Sequence, residues 1–599
     1  MTDNQDDEDG LMTTTTDPSQ AFLAQVQTAT SVVHIHRSSF PSSDPFSADF
    51  DAAVGWLRAN RPAVDLQILV DPLMADPVVF MRTDTTCWAG PLLPPMTTPW
   101  IHIPITTDQF DQFFTDEANS LAHPDTILPY NATPPLPDGA TLINDFSRLN
   151  PTSVKEVVGY KQQRWPWSAF KPTEADFCNV VADTARAGGT ISIAGKRHSQ
   201  GGHTFFTDSV VLDITDFDEI LAFDPEAKTI RVQSGITWDA VQRFVQPHGL
   251  SVSVMQAYPF FTVGGALAVS VHESDLRFGT IIDTVLSFRI MLADGHVLDV
   301  SRETNSDLFG LVIGGYGLLG LVLEVELQLT DDLLLTQTVK TVAAADFTEL
   351  FLAAKATPGT IFGYARPCFV DDDRLMTQMS MVTYAQATPT PPPGIFEIAD
   401  LSYLGLRKLI YDLSRSYEWG KVIKWDLQQQ YGDDFNVNLI SRNNLMRADI
   451  RIPGDYRSST DTDALQEYFV PVGQYAAFAT GLAAILRQFS INMMSLGIRY
   501  VPETTASKLS YSPKGDVFGA IMVINHGTSI EQIANVEGWT RQIIDLVLSL
   551  GGTYYLPYAA YASRDQAHAA YPLLTEFLAA KDRYDPNHLF MNWFFHNYG

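Results

Sequence analysis

The chain has 599 residues and a formal net charge of −30, with 45% apolar and 18% charged residues. This length exceeds a single ordinary hydrophobic core and predicts two or three domains in a folded protein. Such acidity argues against nucleic acids and anionic membrane surfaces as partners, because both are bound by clustered basic residues.

The three cysteines, Cys87, Cys178 and Cys368, lie far apart in the sequence. They form neither a disulfide framework nor a metal-ligand spacing, so no metal site is predicted. The first ten residues lack the basic start and apolar run of a signal peptide. The longest apolar run, Leu311–Leu323, is interrupted by glycines and falls short of the about 20 residues that span a bilayer. These features predict a cytoplasmic protein.

The first part of the chain divides into two regions. Residues 1–20 are predicted to be an acidic disordered tail. Residues 21–145 are predicted to be an extra N-terminal α/β module, with strands at Ser31–His36 and Val64–Val70 and a helix at Ala48–Asn60. Its residues indicate no chemistry, and it could serve as an oligomer interface.

A second module begins near residue 145. Thr173–Asp176 has the pattern of a helix start, and Thr190–Ala194 alternates as a short strand does. A glycine-rich loop follows directly: Gly195, Lys196, Arg197, His198, Ser199, Gln200, Gly201 and Gly202. Such a loop can turn several backbone N–H groups toward one point and bind a pyrophosphate. The alternative is a tight turn that carries a solvated histidine.

A second glycine segment, Thr262, Val263, Gly264 and Gly265, lies roughly 60 residues further on and leads to His272. Two such segments suggest one elongated, phosphate-bearing cofactor held at two places. The nicotinamide pattern Gly-x-Gly-x-x-Gly at a strand-to-helix turn is absent, as is a phosphate loop of the Walker type. Further strands are predicted at Val210–Thr215, Lys228–Gln233, Leu250–Val254, Ser287–Leu292, His296–Ser301, Leu321–Leu329, Leu496–Val501 and Val517–Asn525, and a helix after Thr237.

The two glycine segments together resemble the FAD-binding domain of the vanillyl-alcohol oxidase and p-cresol methylhydroxylase (PCMH-type) superfamily, in particular its aldonolactone and alditol oxidases and cytokinin dehydrogenases. The pyrophosphate loop of these enzymes reads Gly-x-x-His-Ser, which Gly195–Ser199 matches. The likeness covers about residues 145–599 and includes the glycine run Gly314–Gly320.

The resemblance implies an α+β fold with three parts after the N-terminal module. Residues 146–333 would form a PCMH-type FAD-binding domain of two subdomains. Residues 334–580 would form an α+β substrate (cap) domain with an antiparallel sheet. Residues 581–599 would be a tail that returns to the FAD domain.

The resemblance also implies site residues. FAD would be covalently bound through His198, with His203 a weaker candidate, and Arg499 would lie near the flavin ring. Further contacts to the cofactor are implied for His272, Gly320, Val322 and Asn592, the last with a catalytic role as well.

The chain departs from the sugar-oxidase pattern at three places. The Glu-x-Arg of the catalytic strand begins here with Gly497. The His-Trp-Gly-Lys segment is replaced by Tyr554–Tyr558, and the usual His-Gly pair is His272-Glu273. These differences leave the flavin site intact and the substrate open.

The expected reaction is hydride transfer from a CH–OH group of a sugar-like or other hydroxylated small molecule to the flavin, with dioxygen or another acceptor reoxidising it. Candidates for the base that takes the hydroxyl proton are His526, Tyr555 and His272. Two alternatives stay open: a flavin oxidase of amines or secondary metabolites, and a flavin-binding scaffold without turnover.

Overall fold

The structure is a computed structural model. It describes residues 141–158, 171–388, 393–399, 404–432, 439–448, 451–454 and 460–599, residues 109, 391, 456 and 458, and five strands before residue 104. The described chain combines helices with mainly antiparallel sheets, which confirms the predicted α+β class. No helix among these residues has both the length and the apolarity of a transmembrane segment.

The five N-terminal strands form one mixed sheet in the order β2-β1-β3-β4-β5. β1 and β2 pair in parallel and the other neighbours are antiparallel. β1 and β2 begin two residues after the starts expected from the sequence, and the predicted helix at 48–60 lies outside the described residues. The strands are β1 (Val33–Ser38), β2 (Leu66–Asp71), β3 (Val78–Arg82), β4 (Cys87–Pro91) and β5 (Ile101–Ile103).

A small parallel sheet has the strand order β8-β10-β9. The first glycine loop lies in the connection from β9 to β10. Its helix α1 begins as predicted, because the Thr173 side chain accepts from the Asp176 amide and the Asp176 carboxylate accepts from the Thr173 amide. The elements are the β6/β7 pair (Thr141–Ile143 and Thr152–Val154), β8 (Glu156–Val158), α1 (Glu174–Arg186), β9 (Ile191–Ala194) and β10 (Val210–Asp213).

An antiparallel sheet follows in the order β11-β12-β16-β14-β15, and β13 also pairs with β16. The central strand β16 alternates buried and half-buried residues along its length, as its sequence predicts. The elements are β11 (Ile220–Asp224), β12 (Thr229–Gln233), α2 (Trp238–Val245), β13 (Leu250–Val252), α3 (Val263–Ala268), β14 (Val285–Met291), β15 (Val297–Ser301), α4 (Ser306–Val312) and β16 (Leu321–Asp331).

The rest of the chain builds an eight-stranded antiparallel sheet of order β20-β17-β19-β18-β22-β23-β21-β24. Its elements are β17 (Leu334–Ala343), α5 (Phe347–Ala356), β18 (Thr360–Pro367), β19 (Gln378–Gln386), α6 (Leu404–Ser416), α7 (Glu418–Tyr431), β20 (Ile440–Ser441), α8 (Arg442–Leu445), α9 (Arg451–Gly454), β21 (Asp461–Pro471), α10 (Tyr475–Phe489), β22 (Met493–Val501), β23 (Val517–Gly527), α11 (Ile530–Ser549) and β24 (Thr553–Tyr554).

The last segment holds α12 (Arg564–Ala570), α13 (Leu574–Tyr584) and α14 (Trp593–Tyr598) and lies against the small parallel sheet. Between α13 and α14, Phe590 forms a parallel bridge with Ile191 at the start of β9. Ile191 N donates to Leu589 O at 2.6 Å, and Met591 N donates to Ile191 O at 2.8 Å. The tail thus supports the strand that leads into the first glycine loop.

A fully buried ion pair fixes this tail. Lys581 donates to Asp585, and both side chains are 0% exposed. The Asp585 carboxylate also accepts from the amides of Leu589 and Phe590, each at 2.8 Å. The Asp585 carboxylate therefore balances the buried charge of Lys581 and also accepts hydrogen bonds from two backbone amides.

Asp585→Ala should lower the free energy of unfolding by about 3–5 kcal/mol, because it leaves Lys581 charged and buried without its partner. Urea unfolding followed by fluorescence measures the loss. The matched control is Asp183→Ala, whose partner Arg186 is 76% exposed. That change should cost less than about 0.5 kcal/mol. Equal losses in the two variants would contradict a special role for the buried pair.

Candidate active site

A cavity of ≈ 580 Å³ lies between the two smaller sheets and the inner face of the eight-stranded sheet. This volume is within the range of about 300–1,000 Å³ that is typical of small-molecule sites. The walls come from the first glycine loop, the start of α3, the turn before β16, and the strands β18, β21, β22 and β23. The described residues therefore bring both glycine segments to one space.

The two glycine segments touch directly at Gly195 and Thr262. Any side chain at position 195 would overlap the Thr262 hydroxyl, so the close approach requires glycine there. Both residues line the cavity. The proximity that the sequence suggested for the two segments is thus present.

The first glycine loop offers several polar groups to a ligand. The amides of Lys196, Arg197 and Ser199 have no acceptor among the described residues. The Ser199 and Thr204 hydroxyls are buried and also lack a partner within the described chain. Lys196 is exposed, whereas Arg197 is bound to Asp213 at 2.6 Å. Convergent amides and hydroxyls of this kind suit a phosphate or diphosphate.

The end of the same loop is anchored to its surroundings. Gln200 N donates to Pro557 O at 2.8 Å, and Gln200 Oε1 accepts from Leu465 N at 3.0 Å. Gly202 N donates to the Asp145 carboxylate at 2.9 Å. Gln200 lines the cavity, but Gly201 and Gly202 do not. These last two glycines therefore shape the loop without facing the cavity.

The second glycine segment differs from the expected loop. It is the first turn of α3, capped by the Thr262 side chain. Val263 N donates to Ile236 O at 2.9 Å, Gly264 N to Ser234 O at 2.7 Å, and Gly265 N to Thr262 Oγ1 at 3.2 Å. These amides already have acceptors, so the expectation that they hold a pyrophosphate has no support in the geometry. Thr262, Gly264 and Gly265 line the cavity, while Val263 is buried in the core.

His198 projects among three aromatic rings. The ring centroids of Phe146, Phe260 and Phe261 lie 4.8, 4.7 and 4.8 Å from its own. Burial, with a smaller contribution from the charge of Lys196, lowers the pKa of His198 to about 3. The imidazole is therefore neutral near pH 7.

His203 and Asn592 are more deeply packed than the sequence suggested. The His203 ring lies 5.3 Å from that of Tyr316 and 5.7 Å from that of Phe594, and burial lowers its pKa to about 4. Asn592 caps α14 by accepting from Phe595 N at 3.0 Å, and it donates to Tyr316 O at 2.9 Å. Asn592 does not line the cavity, whereas His203 does.

Gly320 and Val322 both line the cavity at the start of β16. Gly320 has a φ of 149°, and a side chain there would overlap the Met291 carbonyl. A substitution would therefore move the β16 entry away from β14.

Arg499 lies on the face of β22 that borders the cavity and pairs across strands with Tyr364 of β18. Its Nη2 is 3.7 Å from Glu273 Oε1. Two residues earlier, Gly497 leaves space that the Arg366 guanidinium fills, because a side chain at 497 would overlap Arg366. A cation thus occupies the place where the resemblance led us to expect a carboxylate.

Glu467 was missed in the sequence and is the main acidic group of the cavity. Its Oε1 is 2.8 Å from His272 Nε2, and the two side chains are 2% and 3% exposed. Both residues line the cavity. The His272 ring therefore holds the carboxylate of Glu467 through Oε1. The signal in the sequence was a single acidic residue within the segment Leu465–Phe469.

The other two candidate bases are placed differently. His526 on β23 does not line the cavity, and its Nδ1 lies 2.9 Å from the Gly527 carbonyl oxygen. Tyr555 does line it, but its hydroxyl donates to Val269 O at 2.8 Å. Burial also raises the pKa of Tyr555 well above its usual value. The expectation of His526 as base is therefore unsupported by its position, and Tyr555 has its proton engaged.

Comparisons with known proteins concern mainly the glycine-segment region. Residues 170–301 match the family described as FAD binding domain. The chain is 28% identical to L-gulonolactone oxidase of Mus musculus over 183 residues, which are 29% of this chain and 41% of that protein. It is 28% identical to decaprenylphosphoryl-beta-D-ribose oxidase of Mycolicibacterium smegmatis over 210 residues, 33% of this chain and 43% of that protein.

A plant relative has a similar but shorter match. The chain is 31% identical to mitochondrial L-galactono-1,4-lactone dehydrogenase 1 of Oryza sativa subsp. japonica over 118 residues, which are 20% of each protein. The chain therefore spans less than half the length of these curated relatives.

The unpartnered amides and hydroxyls of the first loop fit a dinucleotide diphosphate, and the adjoining cavity has room for more than that group. The matched family and the relatives agree with this chemistry. Residues 170–301 are thus similar to an FAD-binding domain, and the likeness to the aldonolactone oxidases and dehydrogenases that the sequence motifs indicated is confirmed.

Proposed function

We propose that the protein is an FAD-dependent oxidoreductase that oxidises a CH–OH group of a hydroxylated small molecule. The observation that carries this proposal is one shared cavity. It joins the first glycine loop of the matched FAD-binding domain to Arg499 and the His272–Glu467 pair of the eight-stranded sheet.

The first loop would hold the cofactor. The amides of Lys196, Arg197 and Ser199 would bind the diphosphate, and Gly320 and Val322 would border the cofactor on the opposite wall. When bound, FAD supplies a two-electron acceptor for the hydride. The named relatives are an oxidase of L-gulonolactone, an oxidase of decaprenylphosphoryl-beta-D-ribose and a dehydrogenase of L-galactono-1,4-lactone, which favours a sugar-like substrate.

The eight-stranded sheet would supply acid–base chemistry. Glu467 Oε2 would accept the proton of the substrate hydroxyl, while His272 orients the carboxylate through Oε1. Arg499 would stabilise negative charge that develops on the substrate oxygen as this proton leaves. The proton acceptor is thus Glu467, with His272 in a positioning role.

His198 would form the covalent attachment to the cofactor. Its imidazole lines the cavity, is neutral near pH 7 and is held in place among three aromatic rings. A covalent bond would retain the cofactor and make it a stronger oxidant.

Glu467→Gln should slow flavin reduction by about 10²-fold or more, because the amide cannot accept the hydroxyl proton. Stopped-flow reduction by a sugar-lactone or alditol substrate measures the rate. The FAD content should stay unchanged. The matched control, Glu576→Gln, changes an acid whose side chain is 63% exposed and should reduce at the normal rate.

An unchanged rate in Glu467→Gln would exclude this residue as the proton acceptor. His272→Asn provides a second readout. If His272 only positions Glu467, this variant should slow flavin reduction less than Glu467→Gln does, with the FAD content unchanged.

His198→Ala should release flavin from acid-precipitated protein, because the variant has no imidazole for a covalent bond. The measurement is flavin absorbance in the pellet and in the supernatant. His203→Ala is the matched control and should keep its flavin in the pellet. Flavin retained in the His198→Ala pellet would assign the attachment to another residue.

A further inference from the structure

Glu273 is a buried acid on the cavity wall that has no part in the reaction proposed above. It follows His272 directly, lines the cavity and is 9% exposed. Its Oε1 atom accepts a hydrogen bond from the Ser274 amide at 3.0 Å. Its Oε2 atom is buried and has no hydrogen-bond partner among the described residues. Because buried polar atoms are normally hydrogen-bonded, an unpartnered carboxylate oxygen beside a cavity indicates a donor that a ligand supplies.

Glu273 is also the counter-ion of Arg499. Its Oε1 is 3.7 Å from Arg499 Nη2, and the described part of the chain gives Arg499 no second ion pair. The two side chains are 20% exposed for the arginine and 9% for the acid, so water and salt screen this pair only in part. The charge of Arg499 is therefore balanced within the protein, and a bound molecule does not need to supply a negative charge.

The Glu273–Arg499 pair lies beside the proposed proton acceptor. His272 is 2.8 Å from Glu467, and the next residue, Glu273, pairs with Arg499. Gly519 is the cross-strand partner of Arg499, and a Cβ atom at Gly519 would lie 3.0 Å from Glu467 Oε1. The Glu467 side chain therefore extends over Gly519, toward the strand that carries Arg499. A molecule whose hydroxyl meets Glu467 would thus have a second polar group near Glu273.

A carboxylate in this place distinguishes ligands by their charge. An ionised carboxylate accepts hydrogen bonds from the hydroxyl groups of a neutral molecule and donates none. A ligand carboxylate would meet the negative charges of Glu273 and Glu467, whereas the guanidinium of Arg499 is already paired. Repulsion between like charges in a poorly solvated site is a common source of specificity.

We propose that Glu273 is a specificity-determining residue. Its Oε2 accepts a hydrogen bond from a second donor group of an uncharged substrate, and its negative charge excludes molecules that carry a carboxylate at that position. This inference rests on the proposed function for the hydroxyl that reacts, but it concerns binding and is tested without turnover. Glu273 selects the molecule that binds, and the proton acceptor remains Glu467.

The test uses two probes that have the same skeleton and differ in charge. α-Hydroxyisobutyramide is neutral, and α-hydroxyisobutyrate carries a carboxylate in place of the amide. Neither has a hydrogen atom on the carbon that bears the hydroxyl, so neither can give up a hydride there. In calorimetric titrations of the full-length, FAD-saturated protein, the amide should bind at least about tenfold more tightly than the carboxylate.

Variants then assign this preference to Glu273. Glu273→Gln removes the charge and keeps the shape of the side chain. The carboxylate probe should bind this variant about tenfold or more tightly than it binds the natural protein, because Arg499 has lost its counter-ion. The double variant Glu273→Gln/Arg499→Gln should lose that gain. Glu273→Asp keeps the charge and should keep the preference for the amide.

The matched control is Glu576→Gln, which removes an exposed acid that pairs with Lys508 at 3.4 Å. It should bind both probes as the natural protein does. The flavin absorbance of each variant shows that the protein is folded and loaded with cofactor.

Failure of the amide to bind, equal binding of the two probes, or an unchanged preference in Glu273→Gln would overturn the role of Glu273. Flavin reduction by sugar lactones and alditols is measured separately. A preference that depends on Glu273, without flavin reduction by any of these compounds, would keep the specificity role and reject the proposed reaction. Flavin reduction in a protein that does not discriminate between the probes would do the reverse.

Discussion

The contact between Gly195 and Thr262 is the constraint on which the site depends. It joins the loop after β9 to the first turn of α3, so two segments from different sheets meet at one wall of the cavity. The contact requires glycine at position 195, and its other member, Thr262, is the threonine that caps α3. The hydroxyl that caps the helix is the same group that leaves no space for a Cβ at 195.

The other side of the cavity is formed by a sheet rather than by a loop and a helix end. The eight-stranded sheet places alternate residues of neighbouring strands on one face, so Glu467, Gly497 and Arg499 reach the cavity from β21 and β22. Hydrogen bonds of Gln200 to Leu465 and Pro557 fasten the first glycine loop to this sheet. The first glycine loop is thereby held at a fixed separation from Glu467 and Arg499.

The sequence allowed the local elements to be predicted where a single segment determines them. The start of α1 follows from the Thr173–Asp176 pattern, and the one-sided strand from Leu321 follows from strict alternation. The family likeness of the first loop was visible because Gly-x-x-His-Ser is a contiguous motif. The α+β class followed from the same local patterns and from the resemblance.

Features that depend on pairing between distant segments were not predictable in this way. The second glycine segment read as a loop because two glycines disfavour helix, but its Gly264 packs against Ser234 and requires the small residue. Glu467 needed the register of β21 against β23 to bring it beside His272. His526 and Asn592 carried suitable chemistry, yet strand direction and helix capping place both away from the cavity.

The bridge between β9 and residues 589–591 has a consequence for assembly. Ser192 donates to Met591 O across 399 positions of sequence, at 2.6 Å. Contacts of such separation form late, because a long loop must close before they contribute. Strand β9 therefore lacks one of its two lateral neighbours until residues 589–591 are in place, although it already pairs with β10. Folding intermediates that form before this bridge carry the edge of β9 open to other chains.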